Sequence, residues 1–183
     1  MLPVIAAALL TAAPLVVVLP FEVKSIDPAD ADLGLAMQSL VVHELSAVAI
    51  NSRTEDADLN AAGKIEGATH VATGTIVRMG KDVLVSARLI DPKDNKILAV
   101  TMLRGATLWN DRRQFTSKVV EKLGVPMPAR PDGYDVNEEL ARAWGAALRA
   151  LKSGDPKVAK EKVSAVVEKW PQFMPAKAQL AKL

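Results

Sequence analysis

The chain has no cysteine. That excludes disulfides, thiolate nucleophiles, cysteine metal sites and a lipid anchor carried on an amino-terminal cysteine. Only 4% of the 183 residues are aromatic, so a core must be built from Val, Leu, Ile and Ala. The two histidines, His43 and His70, are far apart and form no His-x-x-x-His pair, which gives zinc no ligand set. No Gly-x-Ser-x-Gly places a serine on a strained turn. Gly63 and Gly67 bracket a helix end without a Gly-x-Gly-x-x-Gly pattern or a Walker lysine. Asp27, Asp30 and Asp32 are too few and too irregular for calcium, and they suit helix capping. The formal charge of +2 is too small to call for nucleic acid. These absences point away from an enzyme and toward a protein with no catalytic, cofactor or metal site.

Half of the residues are hydrophobic and 24% charged, as in a folded globular protein. Met1 to Phe21 holds no charged side chain, Ile5 to Leu10 is apolar, and Thr11-Ala12-Ala13 offers the small residues favoured at a signal-peptidase site. Residues 1–14 are therefore expected to be a signal peptide, with a periplasmic location. A retained anchor, or a buried start in a cytoplasmic protein, are the alternatives.

Leu15 to Leu19 is a continuous apolar run ended by Pro20 and reads as a buried strand. From Leu33 to Ala47 apolar side chains recur at helical spacing behind the acidic caps. Ala49 to Ser52 reads as a brief strand and Asp56 to Ile65 as a second helix. Thr69–Met79, Asp82–Ile90 and Lys96–Arg104 are rich in Val, Ile and Thr and joined by short polar turns, the pattern of an antiparallel meander. Leu108 to Leu123 reads as a third helix. Three prolines then mark a linker over 126–135, and 136–183 carries two alanine-rich helices and the start of a third. The fold class expected is α/β, a mixed sheet with flanking helices over 15–125, followed by an α-helical hairpin.

Charge is uneven: Arg142 to Leu183 carries nine Lys or Arg against three Asp or Glu, a net of +6 that leaves −4 for the rest. Spread lysines read as solvated helix surface, with a basic face for an acidic partner as the functional alternative. Trp109, with Arg112 and Arg113, is a candidate protein-contact patch, because Trp and Arg are favoured at binding hot spots. Packing of Trp109 against the sheet edge is the competing reading. In the tail, Leu180 and Leu183 are candidate contacts, ringed by lysines.

Two resemblances rest on particular residues. Val17-Val18-Leu19-Pro20-Phe21, the helix ending His43-Glu44-Leu45, and Glu66-Gly67-Ala68-Thr69-His70-Val71-Ala72-Thr73-Gly74-Thr75-Ile76 resemble the amino-terminal domain of TolB and its CsgG-like, FlgO-like and LpoB-like relatives. Asp82 to Asp91, Lys96-Ile97-Leu98 and the helix ending Lys122-Leu123-Gly124-Val125 continue that pattern over roughly 15–125. With Gly154-Asp155 at an inter-helix turn, Ala147, Ala159 and Pro171 fall as in a tetratricopeptide (TPR) repeat, although Ala150 and Val163 stand where large aromatics are usual. The resemblances imply a non-catalytic scaffold of the bacterial cell envelope. Its partner would be another envelope protein or a second copy of the chain, with membrane association only through a partner or an uncleaved amino terminus. A component or regulator of an outer-membrane secretion or assembly apparatus, or a cytoplasmic TPR scaffold, are the alternatives. The prolines are expected to hold the hairpin away from the first domain.

Overall fold

A computed structural model describes residues 14–105, 107–125 and 134–183. The expected signal peptide therefore lies outside the described residues except for Pro14, and the expected linker except for Tyr134 and Asp135. One six-stranded sheet has the order β3-β1-β4-β5-β6. The strands are β1 (Leu15–Val18), β2 (Glu22–Lys24), β3 (Asn51–Thr54), β4 (Ala68–Met79), β5 (Asp82–Asp91) and β6 (Lys96–Arg104). β1 runs parallel to β3 and β4, and β4-β5-β6 is the antiparallel meander. The mixed α/β sheet is as the residue pattern implied.

The apolar run of β1 is continuous because the strand is covered on both faces. Val16 and Val18 enter the larger core under the helices, whereas Leu15, Val17 and Leu19 enter a smaller one with Ala62 and Val71. β2, which the sequence pattern did not announce, continues past Pro20 alongside β4, with Val23 opposite Ile76. The brief strand expected at Ala49–Ser52 begins two residues later. Ala49 takes φ +59 and the Ile50 amide donates to the Leu45 carbonyl at 2.9 Å, so these residues close the preceding helix instead.

That helix, α1 (Leu33–Ala47), is the centre of the molecule. Met37, Leu40, Val41 and Leu45 are all buried. Gln38 is buried too, and its amide donates to the carbonyls of Val18 (2.8 Å) and Glu55 (3.0 Å), which satisfies the chain where β1 ends. α2 (Leu59–Gly63) is shorter than expected and covers the opposite face, capped by Asp58 on the Ala61 amide at 2.8 Å. The helix expected over Leu108–Leu123 is two pieces, α3 (Leu108–Asp111) and α4 (Arg113–Leu123). Arg112 stands between them, and its guanidinium donates to the Trp109 carbonyl.

The tail forms α5 (Glu138–Ser153), α6 (Pro156–Lys169) and α7 (Met174–Leu180). It is not held away from the sheet domain. The larger core runs without a break from β1 through α1 to Trp144 and Phe173. Trp144 Nε1 donates to Ser39 Oγ at 3.1 Å, and Phe173 meets the Trp144 and Tyr134 rings edge-on at 5.4 and 5.1 Å. A stiff spacer limits where a hairpin begins, but the apolar stripe of Leu140, Trp144 and Ala147 still has to leave water, and α1 is the surface within reach. Among the described residues, no helix is long and apolar enough to cross a membrane.

Close approach of α5 to α1 depends on Gly145, where a Cβ would lie 2.3 Å from the Asp32 carbonyl oxygen. Gly145→Ala removes a flexible residue from a helix interior, which by propensity alone would stabilise. Because the new methyl meets backbone, the variant is expected instead to lose about 1–3 kcal/mol. Chemical denaturation measures the difference, and an unchanged or raised midpoint would mean that the helices can part without cost.

Candidate interaction surface

Several ion pairs bind the tail to the sheet domain, and the most buried of them centre on Asp30. The Asp30 side chain is 1% exposed and sits in the short 3-10 turn before α1. Its carboxylate accepts from Arg78 of β4 (Nε at 2.5 Å, Nη2 at 2.9 Å), from Ser25 Oγ at 2.6 Å, and faces Arg142 Nη2 of α5 at 2.7 Å. Glu138 bridges both guanidinium groups, at 2.6 Å to Arg78 and 2.9 Å to Arg142. Burial by itself would raise the Asp30 carboxyl; the bonds from Arg78 and Ser25 and the charge of Arg142 outweigh it and hold the group below its ordinary value.

A second polar cluster lies within the helical layer. Trp109 and Arg112 are each 1% exposed, so of the contact patch expected at Trp109, Arg112 and Arg113 only Arg113 reaches the surface. The alternative, packing of Trp109 against the sheet domain, is the arrangement found. α3 is one turn long and turns both side chains inward, and Arg112 is tolerated there because Glu44 of α1 lies 2.7 Å from its Nη2. Arg113, partly exposed, reaches the same carboxylate at 3.5 Å, and Thr116 Oγ1 donates to it at 3.1 Å. The Arg112 guanidinium stands 5.5 Å from the centre of the Tyr134 ring. Tyr134 itself is buried, and its hydroxyl has no partner among the described residues. Burial raises the hydroxyl's pKa, the Arg112 charge opposes only part of that, and the result is pushed up to about 12.

Among the described residues, neither histidine belongs to a group of side chains that could hold a metal ion. His43 packs on Tyr134 with ring centres 5.7 Å apart, and burial and then the Arg112 charge lower its pKa. His70 contacts Thr69 Oγ1 at 2.9 Å, and burial lowers it as well, with Asp91 opposing. Of the tail candidates, Leu180 is half-buried against the larger core and Leu183 is 40% exposed. The structure does not bring these two together with Trp109 and Arg112.

The surface that stands out was not among the sequence candidates. Among the described residues, α2 covers only the β1 and β4 end of the far face of the sheet, which leaves the meander open there. Large apolar side chains lie on that open face: Met79 is 53%, Ile97 50%, Val100 41% and Met102 56% exposed. Ladder register places Met102 beside Ser86 and Thr75, and Val100 beside Arg88 and Thr73. A solvated antiparallel face ordinarily alternates to polar residues. In β6 the inward phase of Ala99, Thr101 and Leu103 is matched by an outward phase of Val100 and Met102. The signal was therefore present, since both phases of this strand are apolar. At the same edge strand, Lys118 Nζ donates to the Val100 carbonyl at 2.7 Å, which occupies one of the groups an added strand would use.

Residues 57–103 match the model of a family described as FlgO protein. No curated protein matches the sequence. Among solved structures, the chain is similar to the PelC dodecamer from Paraburkholderia phytofirmans, with 21% identity over 63% of this chain and 90% of that one and a TM-score of 0.46. It is also similar to TolB from Acinetobacter baumannii, with 15% identity, 63% and 29% of the two chains covered and a TM-score of 0.44. A lipoprotein from Neisseria meningitidis shows 18% identity, 60% and 96% covered, and a TM-score of 0.42. The FlgO-like likeness thus falls on α2 and the meander.

Two measurements follow from the polar clusters. Asp30→Asn leaves Arg78 and Arg142 facing an uncharged amide and is expected to cost about 3 kcal/mol. Because the folded carboxyl lies below its ordinary value, its contribution is complete above about pH 4 and is lost as pH falls further. The variant's stability should accordingly depend less on pH in that acid range than the parent's, and equal slopes would remove the carboxylate from the account. Tyr134 is the single tyrosine, so tyrosinate absorbance reports it alone. Its ionisation is expected near pH 12, later than a free tyrosine at about 10. With the folded value raised, stability should be unaffected by this group below pH 10 and fall between 10 and 12. Ionisation at the free value in the folded protein would show the hydroxyl to be solvated.

Proposed function

We propose that this chain is a non-catalytic protein-interaction component of a bacterial cell envelope, and that it binds its partner protein through the open face of β4-β5-β6. The observation carrying the reading is that Met79, Ile97, Val100 and Met102, four large apolar side chains on one uncovered sheet face, all fall within the FlgO-like stretch 57–103. An apolar face rimmed by polar groups is what a protein interface requires, and it is a liability for a protein that binds nothing. Arg88, exposed in the same face, and the Arg104–Asp82 pair at 2.6 Å supply polar rim contacts. Lys118 on the edge carbonyl favours approach to the face over strand addition. The partner is another envelope protein, in keeping with the apolar segment Ile5–Leu10 and the small residues after it, which suit export to the periplasm. The tail is a TPR-like hairpin whose first helix buttresses α1. No cofactor is assigned, and the histidines are given no chemical role.

Met102→Glu places a charge in the centre of the face without disturbing the core, because the side chain is more than half exposed. Site-directed cross-linking from position 100 in envelope fractions of the native cell should capture a defined partner with the parent chain and lose it with Met102→Glu, at an unchanged melting temperature. The double replacement His43→Gln, His70→Gln should retain capture and cellular function in full. Undiminished capture by Met102→Glu would refute the face, and loss of function from the histidine variant with stability intact would refute the non-catalytic reading.

A further inference from the structure

The side of α1 away from the sheet is not wholly covered by the tail. Between α1, α5 and α7 runs a groove of about 370 Å³, within the range of volumes that seat ligands. Leu35 and Val42 of α1 form one wall, Leu148 of α5 lies at the base beside Trp144, and Ala178 of α7 forms the other wall. The base is fixed, since the Trp144 indole is tied to Ser39 and only 2% exposed. The four wall and base residues named are partly or fully exposed, so the apolar lining is open to solvent in the folded chain.

The charge of this groove is of one sign. Its lining includes Lys152 and Lys182 and no carboxylate. Lys152 reaches out to Asp56 at 2.6 Å, which does not line the groove. α7 carries Lys177 and no acidic residue, and neither Lys177 nor Lys182 has an ion-pair partner among the described residues. Of the tail's lysines, two line this open apolar trough, Lys152, which is paired with Asp56, and Lys182, which has no ion-pair partner among the described residues. Three helices forming a trough leave the geometry that a fourth amphipathic helix fills, with its apolar stripe in the trough and its flanks on the rim. With Lys182 the uncompensated charge of the lining and no carboxylate in it, those flanks would be acidic. A second copy of this tail would bring a net +6 against the same lysines, which disfavours self-occupation.

We infer that the α1-α5-α7 groove is a second binding site, independent of the open sheet face, and that its ligand is an acidic amphipathic helix of a partner protein. Two labelled synthetic peptides test this on the full chain by fluorescence anisotropy. Both carry leucine at helical i, i+3, i+4 and i+7 spacing, one with glutamate and the other with lysine between. The glutamate peptide should bind, more weakly as salt rises, and the lysine peptide should not. Lys182→Glu and Ala178→Glu, both at exposed positions, should each weaken binding about tenfold, with circular dichroism and melting temperature unchanged. Met102→Glu should leave peptide binding intact, so that failure of the sheet-face reading and failure of this one are separable. The inference is overturned if the glutamate peptide does not bind, if the lysine peptide binds equally, or if the groove variants make no difference. It is also overturned if amide signals of groove residues move with the concentration of the protein alone, since a second copy would then be the occupant.

Discussion

A single buried carboxylate, Asp30, holds the two halves of this protein in register. It lies on the turn that launches α1, it receives the guanidinium of Arg78 from the sheet, and it faces Arg142 from the tail. A charge this buried is costly unless every lone pair has a donor, and its three donor side chains come from three parts of the chain. Removing any one of them leaves the others facing an incomplete shell, so the turn, the sheet and α5 are positioned together. Around this point the apolar contacts fall into line. Gly145 presses on Asp32, Trp144 bonds to Ser39, and Phe173 closes against Trp144.

Docking of the tail changes what α1 is. A helix on the surface of a sheet domain buries one stripe. α1 instead lies between the sheet and α5, and its buried residues include the polar Gln38 and the small Gly34 and Ala36. Gln38 answers backbone carbonyls, and Glu44 answers the cation of Arg112, which α3 has turned inward. A buried arginine with a carboxylate beside it costs less than one facing hydrocarbon, and the Tyr134 ring completes the enclosure.

What the layering leaves uncovered is as informative as what it buries. Helices crowd one face of the sheet, so the meander's far face keeps an apolar surface with, among the described residues, only α2 at one end. On the helical side, α7 stands apart from α1 far enough to leave a lysine-rimmed trough. These two surfaces differ in chemistry, one flat and nearly neutral, the other concave and cationic, and that difference suits two distinct partners.

The sequence by itself determined the local elements. β1 is apolar in every position, α1 and the meander have clear periods, and their bounds fall within a residue or two of those expected, because strand and helix periods are written in neighbouring side chains. It also carried the FlgO-like character of the meander. Position in the fold decided the rest. Trp109 and Arg112 read as an exposed pair, yet one turn of α3 takes both inside, since a helix that short has its facing set by what it packs against. The prolines read as a spacer, yet the stripe of Leu140, Trp144 and Ala147 found α1. Asp30 and Arg142 are more than a hundred positions apart, and no local pattern announces such a pair. Which of two apolar phases of β6 would be covered was likewise open until the helices were placed, because both read equally as core when each is seen only along its own strand.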